Sequence, residues 1–296
     1  MQTFTCNLYE KRSFSDKFNF CIDWTKAYAT PFFKQSLLFI LPFCIIQGYL
    51  LQAVMKFTNS PYAGSSVAIG DMVKIGLCYA VSLISAFFAY SFFYALIKET
   101  VINKNNLQKT SNSSMWKAMR ANMFKLFLSS IVGFLFIIVC GIIMVLLALL
   151  SKLTLIATLP VFAAICIALL AFQPRFILTD DPILEAFTHS LKLGFKCWWG
   201  FFSTTLVMGV LVTIVQCFAY IPMYLSSIMQ MFTQSFLGDI MSYVAGAFLT
   251  YVSMITSLFM VLIICVQYGH ATKKIDKEEP LNIEDKIAST LHITQL

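Results

Sequence analysis

Thr179 to Phe202, TDDPILEAFTHSLKLGFKCWWGFF, is the stretch whose reading decides the fold. Asp181 followed by Pro182 reads as an N-cap and a first helical residue, because an acidic side chain can satisfy free backbone N–H groups and proline lacks only an N–H that would go unpaired there. Ile183, Phe187, Leu191 and Phe195 then recur at every fourth position, while Glu185, His189, Lys192 and Lys196 line another face. The spacing predicts an amphipathic helix. Trp198 and Trp199 close it, and a long apolar run begins at once. Indole rings favour the boundary between hydrocarbon and water, so the segment reads as a helix lying on a membrane surface and leading into a span.

Composition agrees. Of 296 residues, 59% are hydrophobic and 12% are charged, with a mean hydropathy of +0.79. A soluble domain would carry roughly a quarter charged residues. The net charge of +7 is spread between apolar blocks, which points to anionic lipid head groups and away from nucleic acid. The nine cysteines show no CxxC pair and no histidine cluster. They read as small hydrophobes, and neither a disulfide framework nor a metal site is expected. The first thirty residues lack the early apolar core of a signal peptide. Heavy use of Phe, Ile, Asn and Lys suggests an AT-rich bacterial genome.

The expected fold class is all-α: a polytopic membrane protein with six transmembrane helices arranged as three hairpins, each preceded by a cytoplasmic interfacial amphipathic helix. Residues 1–31 form a cytoplasmic segment with an interfacial helix from about Phe14 to Ala29, and Thr30-Pro31 looks like the start of the first span. The membrane domain covers 32–269, with spans at about 32–55, 72–97, 126–150, 153–172, 201–229 and 240–268. Each reaches or exceeds the roughly twenty residues that cross about 30 Å of hydrocarbon. Ser151 and Lys152 alone separate the third and fourth spans, a tight helical hairpin. Residues 270–296 form a polar tail, taken as cytoplasmic. Lysine and arginine crowd the segments on the side of the N-terminus, leaving Lys56, Lys74 and Lys152 on the other. Both termini are therefore expected in the cytoplasm, in a bacterial inner membrane. On that side the Asn112-Ser-Ser glycosylation match is accidental.

Three amphipathic segments line up as a loose repeat. On one register Trp24, Tyr28 and Phe32 fall on Met115, Met119 and Met123, then on Ile183, Phe187 and Leu191. Their basic and aromatic members, Lys26, Lys117, Arg120, Lys125, Lys192, Lys196, Trp198 and Trp199, are the candidate contacts to lipid head groups or to a partner protein.

No Asp, Glu, Lys, Arg or His lies deep within an expected span, and such a charge costs at least about 2.5–3.5 kcal/mol. No catalytic, cofactor-binding or metal-ligating constellation emerges, and His189 reads as a lone solvated residue. An enzyme would have to draw its acids from Asp180, Asp181 and Glu185, which a cap and a solvated helix face explain more simply. Asp181-Pro182, Ala186, Ser190 and the Trp198-Trp199 pair resemble a pattern in bacterial six-helix membrane proteins, similar to the membrane domain attached to some glycerophosphodiester phosphodiesterases. The match covers about 173–202. The resemblance implies membrane architecture and a connection to lipid, and it carries over no catalytic residue.

The expectation is thus a non-enzymatic integral membrane protein that interacts with anionic lipids or organises a membrane complex, without cofactor. The alternative is a small-molecule or lipid permease with a cavity near Pro42, Pro160 and Pro222, since proline frees backbone carbonyls within a span.

Overall fold

The computed structural model describes residues 6–58, 69–102, 112–150, 152–179, 181–233 and 236–275. Among these residues all regular structure is helical and there is no strand. In chain order the helices are α1 (Phe14–Phe39), α2 (Leu41–Thr58), α3 (Ile69–Ile102), α4 (Asn112–Leu150), α5 (Lys152–Ala168), a 3₁₀ turn (Leu169–Ala171), α6 (Phe172–Leu178), α7 (Ile183–Lys196), α8 (Trp198–Thr233) and α9 (Phe236–Ile275). Five of the apolar helices are long enough to cross a membrane, or six if the bent pair α1 and α2 counts as one span. The coarse expectation of an all-helical chain with several helices able to cross a membrane therefore stands among the described residues.

Boundaries differ from those read in the sequence. α1 runs without interruption through Pro31, so that proline does not open the first span. The break comes at Ile40, where the helix axis turns by 54° into α2. Ile40 N donates to Ser36 O at 2.8 Å, and Ile40 O then accepts from Phe43 N and Cys44 N at 3.1 and 3.2 Å. Pro42, which has no N–H to give, sits in the first turn of α2, where none is required. α4 is one helix of 39 residues that begins at Asn112 and absorbs the expected interfacial segment. At 1.5 Å per residue it is about 58 Å long, well beyond the hydrocarbon thickness. α6 carries the helical run of the fourth apolar stretch on to Leu178, past the expected end at 172. α9 extends past Tyr268 to Ile275. Ser151, Asp180 and residues 103–111 and 276–296, on which the expected loop and polar tail fall, lie outside the described residues.

The chain divides into two compact units. One holds the described residues of Met1–Tyr28, Phe93–Met208 and Val261–Leu296, the other Ala29–Phe92 and Gly209–Met260.

In the first unit, Phe93–Val101 of α3 is buried at every position, as are Val261–Ile263 and Cys265–Gly269 of α9. Burial on every side, Lys98 and Glu99 included, puts these stretches at the middle of the unit. Thr100 ties neighbours to that middle: its hydroxyl donates to Ile97 O at 2.7 Å and accepts from Trp24 Nε1 at 3.3 Å. Around it α4, α5, α6 and α7 pack on one another, with Phe172, Phe176 and Ala186 as a core joined by Leu128, Val132, Ile183 and Phe187. An irregular strap, Cys6 to Ser13, lies against the end of α9. Leu8 and Tyr9 are buried, Tyr9 meets Tyr268 edge to face at 6.3 Å, and Arg12 N donates to His270 Nδ1 at 3.0 Å. A Cβ on Gly269 would collide with Leu8 O, so only glycine allows this approach.

The second unit is joined by neutral polar groups. Gln47 Nε2 donates to Ser82 Oγ at 2.9 Å, Gln52 Nε2 to Asp239 O at 2.9 Å, and the hydroxyls of Ser36 and Tyr251 lie 2.8 Å apart. Ala219, Met223, Ala245 and Leu249 form its apolar core. α2 and α9 cross at Gly48 and Ala247, where a side chain on Gly48 would meet backbone. Small residues at such crossings allow the close contact that holds helices together in lipid.

Candidate functional site

Every candidate contact residue falls in the first unit. Lys26 is exposed on α1 and pairs with Asp23 at 3.8 Å. Lys117 and Arg120 are exposed on the first turns of α4, while Lys125 is half-buried and within electrostatic reach of Lys98. Lys192 and Lys196 are exposed on α7. The tryptophans divide. Trp198 donates its indole N–H to Ala164 O at 3.1 Å and stacks on Phe202 at 5.1 Å, whereas Trp199 is 73% exposed.

The start of α7 corrects the sequence reading. Asp181 is not the cap. Pro182 is the N-cap, in an extended conformation with φ −56° and ψ 142°, and no side chain caps the helix. The Asp181 carboxylate instead pairs with Arg175 Nη2 at 2.8 Å, both side chains being only 12% exposed. Arg175 Nη1 also lies 2.7 Å from His189 Nδ1, so His189 is not a lone solvated residue. An arginine fork holding a carboxylate and an imidazole thus closes the α6–α7 corner. Glu185 is exposed, and Asp180 is outside the described residues.

The proposed repeat is not carried through as a common buried face. Trp24, Tyr28, Met115 and Met119 are all buried, in keeping with their shared register. The third copy is rotated: α7 buries Ala186, Ser190, Leu193 and Gly194, and leaves Ile183, Phe187 and Leu191 half-covered. The small residues explain the turn. Ser190 Oγ donates to Ala171 O at 3.3 Å, and a side chain on Gly194 would run into Ala168 O. Close approach of backbones selects that face over the bulkier one. Outward, α7 and the start of α8 present Leu184, Lys192, Phe195, Lys196 and Trp199.

Pro42, Pro160 and Pro222 are exposed, Pro160 in the first unit and the other two in the second. Sequence reasoning also passed over Lys17, Lys98 and Glu99, which are 5%, 8% and 9% exposed. Only their burial in the folded chain, which composition does not display, sets them apart. Burial pulls the Arg12 guanidinium below its ordinary range, opposed by the neighbouring Glu10 carboxylate.

No family model, curated protein or solved structure matches the chain.

Proposed function

We propose that the chain is a non-enzymatic protein of a bacterial cytoplasmic membrane, with both termini inside, whose basic and aromatic surface engages anionic lipid head groups. The observation that carries this reading is the outward set on α7 and the start of α8, in which Leu184, Phe195 and Trp199 alternate with Lys192 and Lys196, all exposed. Apolar groups with cations beside them suit the level of the head groups, where rings and methyls can sink and ammonium groups stay wet. α4 supplies a similar join, with Lys117 and Arg120 exposed just before an outward-facing apolar run. The likeness of residues 173–202 to the membrane domain of glycerophosphodiester phosphodiesterases is in keeping with a lipid role.

Reversing charge at Lys117, Arg120, Lys192 and Lys196 together tests it. Each well-placed cation contributes about 1 kcal/mol at an anionic surface. The quadruple variant should lose its preference for phosphatidylglycerol over phosphatidylcholine nanodiscs, measured by lipid exchange and native mass spectrometry. An unchanged preference sinks the reading, and a co-purifying protein lost from the same variant would turn it to a docking surface.

A further inference from the structure

Gln47 lies on α2, is 7% exposed, and turns its side chain towards α3, where Nε2 donates to Ser82 Oγ at 2.9 Å. Its carbonyl oxygen Oε1 is buried and accepts no hydrogen bond among the described residues. A primary amide carries two N–H donors and an acceptor, and a serine hydroxyl carries one donor and an acceptor. The bond between them uses the amide only as donor and the hydroxyl only as acceptor. Oε1 is therefore left over, and so, among the described residues, is the Ser82 proton. Turning the amide over exchanges the atom left open and still leaves one.

The surroundings hold the amide in place without satisfying it. On its other side α2 is pinned to α9: a Cβ on Gly48 would collide with the Ala247 backbone, and Thr250 Oγ1 donates to Cys44 O at 3.3 Å. Farther along the seam between α2 and α3, Phe43 meets Phe88 with ring centroids 4.7 Å apart. The next hydroxyl on α3, that of Ser85, is spent on Val81 O of its own helix. Gln52 shows what a completed contact looks like, since its Nε2 gives its proton to a backbone carbonyl, Asp239 O, at 2.9 Å.

We infer that Gln47 and Ser82 hold a neutral hydroxyl group between α2 and α3, supplied either by a water molecule or by an alcohol-bearing lipid. A hydroxyl donates and accepts at once. It can give its proton to Oε1 and take that of Ser82, closing a ring of hydrogen bonds, and with the amide reversed it accepts from Nε2 and donates to Ser82 Oγ. Ordering one small hydroxyl is a lesser cost than leaving a buried acceptor unmade in hydrocarbon. Neither side chain is charged, so an ion would find nothing to offset its desolvation. The site shares no residue with the basic surface described above and stands whether or not that surface binds lipid.

The test places the full chain in phosphatidylcholine nanodiscs, whose lipid carries no hydroxyl, with the glutamine side-chain amides isotope-labelled. Solid-state NMR follows polarisation transfer from water protons to each amide, and Gln47→Met identifies the Gln47 signal by its loss. In wild-type protein the Gln47 amide should receive polarisation from an immobilised water. Ser82→Ala should weaken that transfer about three- to tenfold, the scale of losing one neutral hydrogen bond. The Gln52 amide, bonded to Asp239 O, should not respond to Ser82→Ala. That pattern assigns water. A Gln47 signal that receives nothing from water but shifts when dioleoylglycerol is added, with one such lipid kept per chain in native mass spectra, assigns a lipid alcohol. A Gln47 amide that responds to neither probe overturns the inference, and this wild-type reading decides the matter if Ser82→Ala fails to fold. A response that a folded Ser82→Ala protein leaves unchanged overturns it too.

Discussion

α4 and α9 have nearly the same length, 39 and 40 residues, yet they meet opposite surroundings. The apolar window of α4 has a mean hydropathy of 3.0 and none of it is buried by the rest of the protein. That of α9 has a mean hydropathy of 2.3 and half of it is buried. The more hydrophobic helix is the less covered one. In water that would be a contradiction, but lipid tails are as apolar as leucine and give helices no hydrophobic reason to associate. What draws α9 into protein contacts is its smaller and more polar content: Gly246, Ala247 and Thr250 against α2, and Gly269 under the strap. α4 offers Phe134, Leu135, Val139, Ile142 and Leu146 outward.

The sharpest way to break this contrast is a pair of identical deletions. Phe93, in the central stretch of α3, is fully buried, whereas Phe134 of α4 is 64% exposed. Phe93→Ala should cost about 3–5 kcal/mol of stability through the cavity it leaves. Phe134→Ala should stay within about 0.5 kcal/mol. Equal costs in reversible unfolding from mixed micelles would mean that α4 is covered by protein after all.

A smaller effect probes the polar side of the contrast. Arg175→Met should cost about 3 kcal/mol, because it strands the poorly exposed Asp181 carboxylate. Replacing both residues, Arg175→Met with Asp181→Leu, should restore most of that loss. If the double variant is as unstable as the single one, the fork does more than neutralise charge. The least effect is expected at Lys26→Gln. Its pair with Asp23 spans 3.8 Å at an exposed site, and thermal unfolding should shift by no more than about 0.5 kcal/mol.

These positions also mark what could be read from the chain. The apolar runs, the absence of strands and the helix at Ile183–Lys196 follow from periodicity, since each is a local property of a window. The start of α7 did not follow, because Asp181 had two uses open to it, a backbone cap or a guanidinium, and the winner sits six residues back on α6. Pro31 looked like a beginning because proline favours first turns, yet α1 carries it inside. Membrane helices tolerate this where neighbours re-satisfy the freed carbonyl. The burial of Lys17, Lys98 and Glu99, and the meeting of Arg12 with His270, depend on partners far along the chain. No window contains them.

The strap has a consequence for biosynthesis. Arg12 and His270 are 258 residues apart. A ribosome adding roughly 5–20 residues per second needs on the order of 13–50 s to travel that distance. For that interval Leu8, Tyr9 and Arg12 have no Tyr268, Gly269 or His270 to rest against. The strap therefore waits for its seat, and that part of the fold closes only after α9 has been made.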